Sequence, residues 1–218
     1  MSDTKNKWQA TMLVAGILLI AVNLRAPFTG IAPILPIIQK DFGLSASALG
    51  LLTSLPLLAF AGFSPLSAAV ARRSGTERTL FGALLVISVG ILLRSAGSAW
   101  ALYAGSILIG TGIALGNVLL PSLIKRDFSS KMASMIGAYS ITMGAAGAVA
   151  SAAIVPLTQS WGWSIALSLV VAAPLLAMLV WLPQLKVKEH LSLPSPNQAA
   201  SVAVWRSTLA WQVTLFLG

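Results

Sequence analysis

Cysteine is absent from the 218 residues. That excludes a disulfide framework, a thiol nucleophile and any Cys-ligated metal centre, and leaves cysteine usage silent on the redox compartment. Histidine occurs once, at His190, and acids only five times, as Asp3, Asp41, Glu77, Asp127 and Glu189. So sparse a set contains no acid pair, no Ser/His/Asp constellation and no cluster of metal ligands. A Gly-rich phosphate loop with its lysine is also missing, so hydrolytic and ATP-driven chemistry have no support, and neither a cofactor nor a metal is expected. Charged residues of all kinds make up 9% of the chain, against about a quarter in an ordinary soluble domain, while 57% are apolar. The chain is not a soluble globular domain.

What is present is long apolar sequence. Removing the charged stretches leaves six runs of about 20 residues or more, each able to cross a bilayer core of about 30 Å as a helix. They cover about 8–38, 47–71, 79–96, 100–124, 132–157 and 163–182. The expectation is an all-α, polytopic membrane protein whose residues 1–182 form a six-helix bundle. Lys5 and Lys7 before the first run would suit a cleaved leader, but the run continues past Arg25 to Ile38 and five more follow, so it reads as a membrane helix. Residues 183–206, with Pro194, Pro196 and His190, read as a polar linker. Residues 207–218 open another apolar run, of which 209–218 would make only about 15 Å of helix; the reading is a seventh helix cut short.

The net charge of +9 is a topology signal rather than a nucleic-acid footprint. Placing the loops alternately on two sides puts eleven Lys and Arg residues on one side and only Lys40 on the other. Cations are retained in the cytoplasm, so the N-terminus and the linker are expected there, close to anionic lipid. The remaining two cations, Arg25 and Arg94, fall inside apolar runs.

No Asp or Glu lies within the six runs, so the charge of Arg25 must be met by carbonyls, hydroxyls, water or a bound anion. Two readings stand for it: a cavity-facing contact for an anionic or electron-rich substrate, or a side chain snorkelling to the outer headgroups. Arg94 lies a few residues from its outer loop, and snorkelling is the expectation for it; a second cation beside the site is the alternative. Asn23 precedes Pro27 by four residues, and Asn117 precedes Pro121 by four. Each proline frees the carbonyl of its asparagine, in the first and fourth runs, which open successive three-helix units of opposite direction. That is the inverted-repeat arrangement of transporters with midplane sites; ordinary proline kinks with interhelical asparagines are the plainer explanation. Glycines at 110, 112, 116, 137, 144 and 147 read as close-packing points, with sliding during transport as a further use. Tyr139 is either a substrate contact or a buried interhelical tyrosine. Arg72, Arg73, Glu77 and Arg78 in one cytoplasmic loop, and Arg126 with Asp127 in the next, read as plain positive-inside charge or as an ionic latch between helix ends.

The segments NLRAPFTG (23–30), LLTSLPLLAFAGFSPL (51–66), VARRSGTERTLFGALL (70–85), GIALGNVLLPSLIKRDF (112–128), GAYSITMGAA (137–146) and WRSTLAWQVTLFLG (205–218) resemble the N-terminal half of a major facilitator superfamily transporter. The resemblance is to the cyanate/2-nitroimidazole transporter family, and nearer its 2-nitroimidazole exporters than its cyanate transporters. It implies twelve helices in two six-helix bundles, alternating access and residence in a bacterial inner membrane. It also implies a central cavity faced by Arg25, Asn117 and Tyr139. The partners would then be a small-molecule substrate, membrane lipid and a C-terminal half, with no nucleic acid and no enzymatic reaction. The superfamily pattern is not met everywhere. Arg72 stands where an acid is usual, Ser106 where an arginine is frequent, and the fifth run lacks the Gly-Pro pair of antiporters, so the resemblance assigns no proton coupling. A non-transporting six-helix scaffold or an inactive truncated fragment is the rival reading.

Overall fold

The computed structural model describes residues 2–186, with side chains from residue 10 to residue 185. All regular structure among the described residues is helical. The elements are α1 (Ser2–Thr29), a 3-10 turn (Ala32–Ile34), α2 (Leu35–Phe42), α3 (Ala46–Ser74), α4 (Thr76–Arg94) and α5 (Ala99–Asp127). A 3-10 turn (Ser129–Lys131) then leads to α6 (Met132–Leu169), α7 (Ala172–Trp181) and a last 3-10 turn (Leu182–Lys186). The all-helical expectation holds, and the six expected runs are roughly matched, the first of them broken and the last two continuous through one long apolar stretch. Residues 183–186, expected in the linker, belong to the last turn. The rest of that linker and the 207–218 run lie outside the described residues.

The first apolar run is not one helix. Pro33 and Pro36 lack the N–H that would continue the ladder, and their rings clash with the carbonyls four residues back. α1 therefore stops at Thr29 and the chain restarts as α2 after one 3-10 turn. α3 begins where Ser45 Oγ accepts a hydrogen bond from the backbone N–H of Ala48 at 3.2 Å, an N-cap. Gly75, at φ 88°, turns α3 into α4.

Among the described residues five apolar stretches are long enough to cross a membrane, and the last of them, Ser129–Leu185, is 57 residues long. As one straight helix it would reach about 85 Å, far beyond a bilayer. Gly162, with φ 80° and ψ 158°, breaks it into two crossings. Pro174 then removes a second ladder bond, and the carbonyl of Val170 accepts from Ala173 at 3.2 Å instead, so the sixth crossing divides into the end of α6 and α7.

α5 packs against both α3 and α4, and α1 lies against α6 and α7. Small residues set these approaches: a Cβ on Gly110 would lie 2.4 Å from the Pro56 carbonyl oxygen, and one on Gly105 would lie 2.5 Å from the Arg94 nitrogen. Gly112 and Gly116 are equally tight, against Ile87 and Leu24. In α6 only Gly147 meets the packing expectation, since Gly137 and Gly144 have nothing within 4 Å of an added Cβ. One apolar cluster centres on Ile17, Ile20, Leu84, Ile87, Leu120 and Trp181; a second, around Ile34, Ile38, Leu52, Leu102 and Leu167, fills the end near α2. Leu57, Leu58, Ile141 and Val149 are exposed, as expected of faces that meet lipid or another helical unit.

Candidate functional site

Arg25 lies in α1, one turn before its broken end. Its side chain is exposed and lines a cavity of about 290 Å³ together with Phe28, Pro56, Phe60, Asn117 and Met143. The stem passes over α6 at Gly147, where a Cβ would lie 2.8 Å from Arg25 Cγ. Glycine there gives the guanidinium its position. No carboxylate pairs with it among the described residues.

Asn117 stands opposite on α5. Its Nδ2 donates to the carbonyl of Ile113 at 3.2 Å, and its Oδ1 accepts from the Tyr139 hydroxyl at 2.8 Å. One Nδ2 hydrogen is left beyond these two bonds. Tyr139 is 7% exposed and is absent from the cavity wall, so it acts on the cavity through Asn117. Asn23 repeats half of this pattern: its Nδ2 donates one turn back, to the carbonyl of Leu19 at 2.7 Å. The two Asn-x-x-x-Pro helices are thus alike in their hydrogen bonding. They differ in setting, because Asn23 is fully buried, its Oδ1 has no partner, and it is not among the residues lining the Arg25 cavity. The structure brings Arg25 and Asn117 to one concavity and leaves Asn23 behind it in the packing. Pro27 and Pro121 lie inside α1 and α5 as expected.

Arg94 overturns its expectation. It does not snorkel: it is 2% exposed, and Nη1 donates to the carbonyl oxygen of Pro27 at 2.8 Å. The cause is the break in the first run. The last carbonyls of α1 have no intrahelical partner, and a buried helix end carries partial negative charge. Arg94 takes the Pro27 carbonyl, Ser151 Oγ donates to Thr29 O at 3.2 Å, and Gly30 N donates to Ala26 O at 3.0 Å. The sequence signal was there, in Pro33 and Pro36 ending α1 at the depth of Arg94.

At the end of the bundle carrying the basic loops, Arg126 Nη2 meets Glu77 Oε1 at 2.5 Å and Arg126 Nε meets Asp127 Oδ1 at 2.7 Å. The Glu77 side chain is 7% exposed, and its backbone carbonyl accepts from Trp181 Nε1 at 3.0 Å. Of the six residues expected in a latch, these three are joined. Arg72, Arg73 and Arg78 are exposed and form no ion pair among the described residues. Sequence reasoning missed the opposite closure: Trp163 Nε1 donates to Asp41 Oδ2 at 2.7 Å while its ring meets Phe42 edge-on at 5.6 Å.

Residues 11–218 match the Major Facilitator Superfamily. The chain is 54% identical over 208 residues to the 2-nitroimidazole transporter of Escherichia coli (strain K12), covering 95% of this chain and 53% of that protein. It is 42% identical over 214 residues to the uncharacterized transporter YycB of Bacillus subtilis (strain 168), covering 97% and 53%. It is 30% identical over 149 residues to the cyanate transport protein CynX of Escherichia coli (strain K12), covering 66% and 39%. The chain therefore spans about half the length of the first two relatives. Its fold is similar to that of tetrameric PepTSo2, with a TM-score of 0.65 at 17% identity over 95% of this chain and 49% of that one. A helical unit with membrane-length crossings, matched along nearly all of its sequence, makes this chain a member of the Major Facilitator Superfamily of membrane transporters.

Proposed function

We propose that the protein moves a small anion or an electron-poor organic solute across the bacterial inner membrane by alternating access, with Arg25 and Asn117 as its substrate contacts and Tyr139 positioning Asn117. The single observation that carries this reading is the cavity itself: Arg25, without a carboxylate partner among the described residues, and Asn117 line the same 290 Å³ concavity. Guanidinium and amide donors in a cavity wall attract electron-rich groups, and aromatic and thioether neighbours such as Phe28, Phe60 and Met143 suit a planar solute. The names of the relatives narrow the class to 2-nitroimidazole-like and cyanate-like molecules.

In this reading residues 1–182 form the N-terminal bundle, the N-terminus is cytoplasmic, and a C-terminal half supplies the facing wall. The Glu77–Arg126–Asp127 cluster serves as a cytoplasmic latch, closed when the cavity faces outward. The test is solute flux in proteoliposomes of the full-length protein, with 2-nitroimidazole and cyanate offered separately and together. Saturable flux of either above that of empty vesicles supports the assignment; flux equal to the passive leak for both contradicts it.

A further inference from the structure

A second cavity, of about 310 Å³, adjoins the first at the broken end of α1. Ile31, Ala32, Leu52 and Thr53 are among its walls, which places it on the α2 side of the Arg25 cavity. Only Phe28 and Pro56 belong to both walls. These two differ in freedom. Pro56 is buried and fixed: its side chain is closed into a ring, and its backbone sits so near α5 that a Cβ on Gly110 would lie 2.4 Å from its carbonyl oxygen. Phe28 is half-buried and follows Arg25 by three residues, so ring and guanidinium share one face of α1. A helical phenylalanine takes either of two staggered rotamers, and because α1 ends at Thr29 no further helical turn crowds this ring from beyond. Phe28 is the movable part of the partition.

The two cavities also differ in chemistry. The first offers donors, from Arg25 and Asn117. In the second, Thr29 Oγ1 donates to Gly147 O at 3.2 Å, Thr53 Oγ1 to Gly50 O at 2.9 Å, Ser106 Oγ to Leu102 O at 2.8 Å and Ser151 Oγ to Thr29 O at 3.2 Å. Each hydroxyl proton of that wall is spent on a backbone carbonyl. Arg94 is 2% exposed there, with Nη1 committed to Pro27 O. A strongly hydrated group entering this cavity would shed water and find no hydroxyl donor in return, whereas the face of an aromatic ring has little water to lose. Both volumes lie at the lower end of small-molecule sites, about 300–1,000 Å³, and suit a single ring.

We infer that the second cavity is the antechamber of the Arg25 site and that Phe28, the partition between them, is the specificity-determining residue, passing a flat, single-ring aromatic solute and holding back bulkier ones. The ring of Phe28 turns aside to admit the solute and stacks on it once its electron-rich substituent meets Arg25. The inference rests on the reading of the Arg25 cavity as the substrate site, and narrows that site's substrate to planar aromatic molecules.

The test is flux in proteoliposomes of the full-length protein at matched insertion, with 2-nitroimidazole, its N-benzyl derivative and cyanate offered separately and the leak of empty vesicles subtracted. The unsubstituted protein should move 2-nitroimidazole with a kcat/KM at least tenfold above that of the benzyl derivative. Phe28→Ala opens the partition and should shrink this ratio at least fivefold, while Phe28→Tyr keeps the ring and should hold it within twofold. A purely structural role for Phe28 would lower both fluxes together and leave the ratio alone. Thr53→Phe fills the antechamber from α3 and should lower the kcat/KM for 2-nitroimidazole at least fivefold, which decides the matter should Phe28→Ala not fold. An unchanged ratio in Phe28→Ala, or unchanged flux in Thr53→Phe, overturns the inference and leaves the Arg25 site standing. So does an unsubstituted protein that moves cyanate alone. Flux of none of the three removes the Arg25 reading and this inference with it.

Discussion

The Tyr139 hydroxyl donates to Asn117 Oδ1 at 2.8 Å, tying α6 to α5 beside the Arg25 cavity. A buried phenol that spends its proton on an amide oxygen fixes which way the amide points, and so presents the remaining Nδ2 hydrogen to the cavity. In the proposed site Tyr139 is therefore the positioning residue and Asn117 the contact.

Tyr139→Phe should therefore weaken substrate binding more than it weakens the fold. The expected result is a several-fold rise in KM with kcat nearly kept, and a stability loss of about 1 kcal/mol, the worth of one hydrogen bond. Combined with Asn117→Ala, the second substitution should add little. Flux kinetics on the two single variants and the double variant read this coupling, and fully additive effects would separate the two residues.

The proposed latch would centre on Glu77 rather than Asp127, because Glu77 is the more buried carboxylate, at 7% against 23% side-chain exposure. Glu77→Gln should shift the transporter toward the inward-facing state, whereas Asp127→Asn should shift it less. A single cysteine introduced at Met143 reports cavity access by its rate of thiol labelling, and equal rates in Glu77→Gln and the parent would count against a latch.

Close approach makes Gly105→Ala and Gly110→Ala costly, since the new methyl groups would meet backbone atoms at 2.5 and 2.4 Å. Each should lose about 1–3 kcal/mol, as overpacked cores do. Gly137→Ala and Gly144→Ala meet nothing within 4 Å and should leave stability unchanged or slightly raised through helix propensity. Thermal unfolding in detergent separates the two pairs. If Gly144→Ala keeps stability but slows transport, that glycine belongs to a surface that moves during the cycle.

The sequence made the crossings legible because length and hydropathy decide them, and Gly162 and Gly75 supply the turns. Arg25 was legible because a cation inside an apolar run lacking acids needs a reason. For Arg94 the prolines that end α1 gave a signal, but its partner did not follow from it, because that depends on where α1 breaks relative to a residue 67 positions away, and periodicity carries no such distance. Asn23 and Asn117 looked equivalent by spacing, and only burial separates them. The loop charges were readable as a group, yet which arginine pairs with Glu77 is fixed by the meeting of the α4 start and the α5 end.

In the proposed site Arg25 is the electrostatic contact for substrate. The most direct measurement is the kcat/KM of solute flux by Arg25→Ala and Arg25→Lys in proteoliposomes of the full-length protein, at matched insertion and yield. Loss of a charge-assisted hydrogen bond predicts a fall of roughly tenfold or more in Arg25→Ala, with partial recovery in Arg25→Lys. Flux unchanged in Arg25→Ala would contradict the account and return Arg25 to a side chain that reaches for the headgroups.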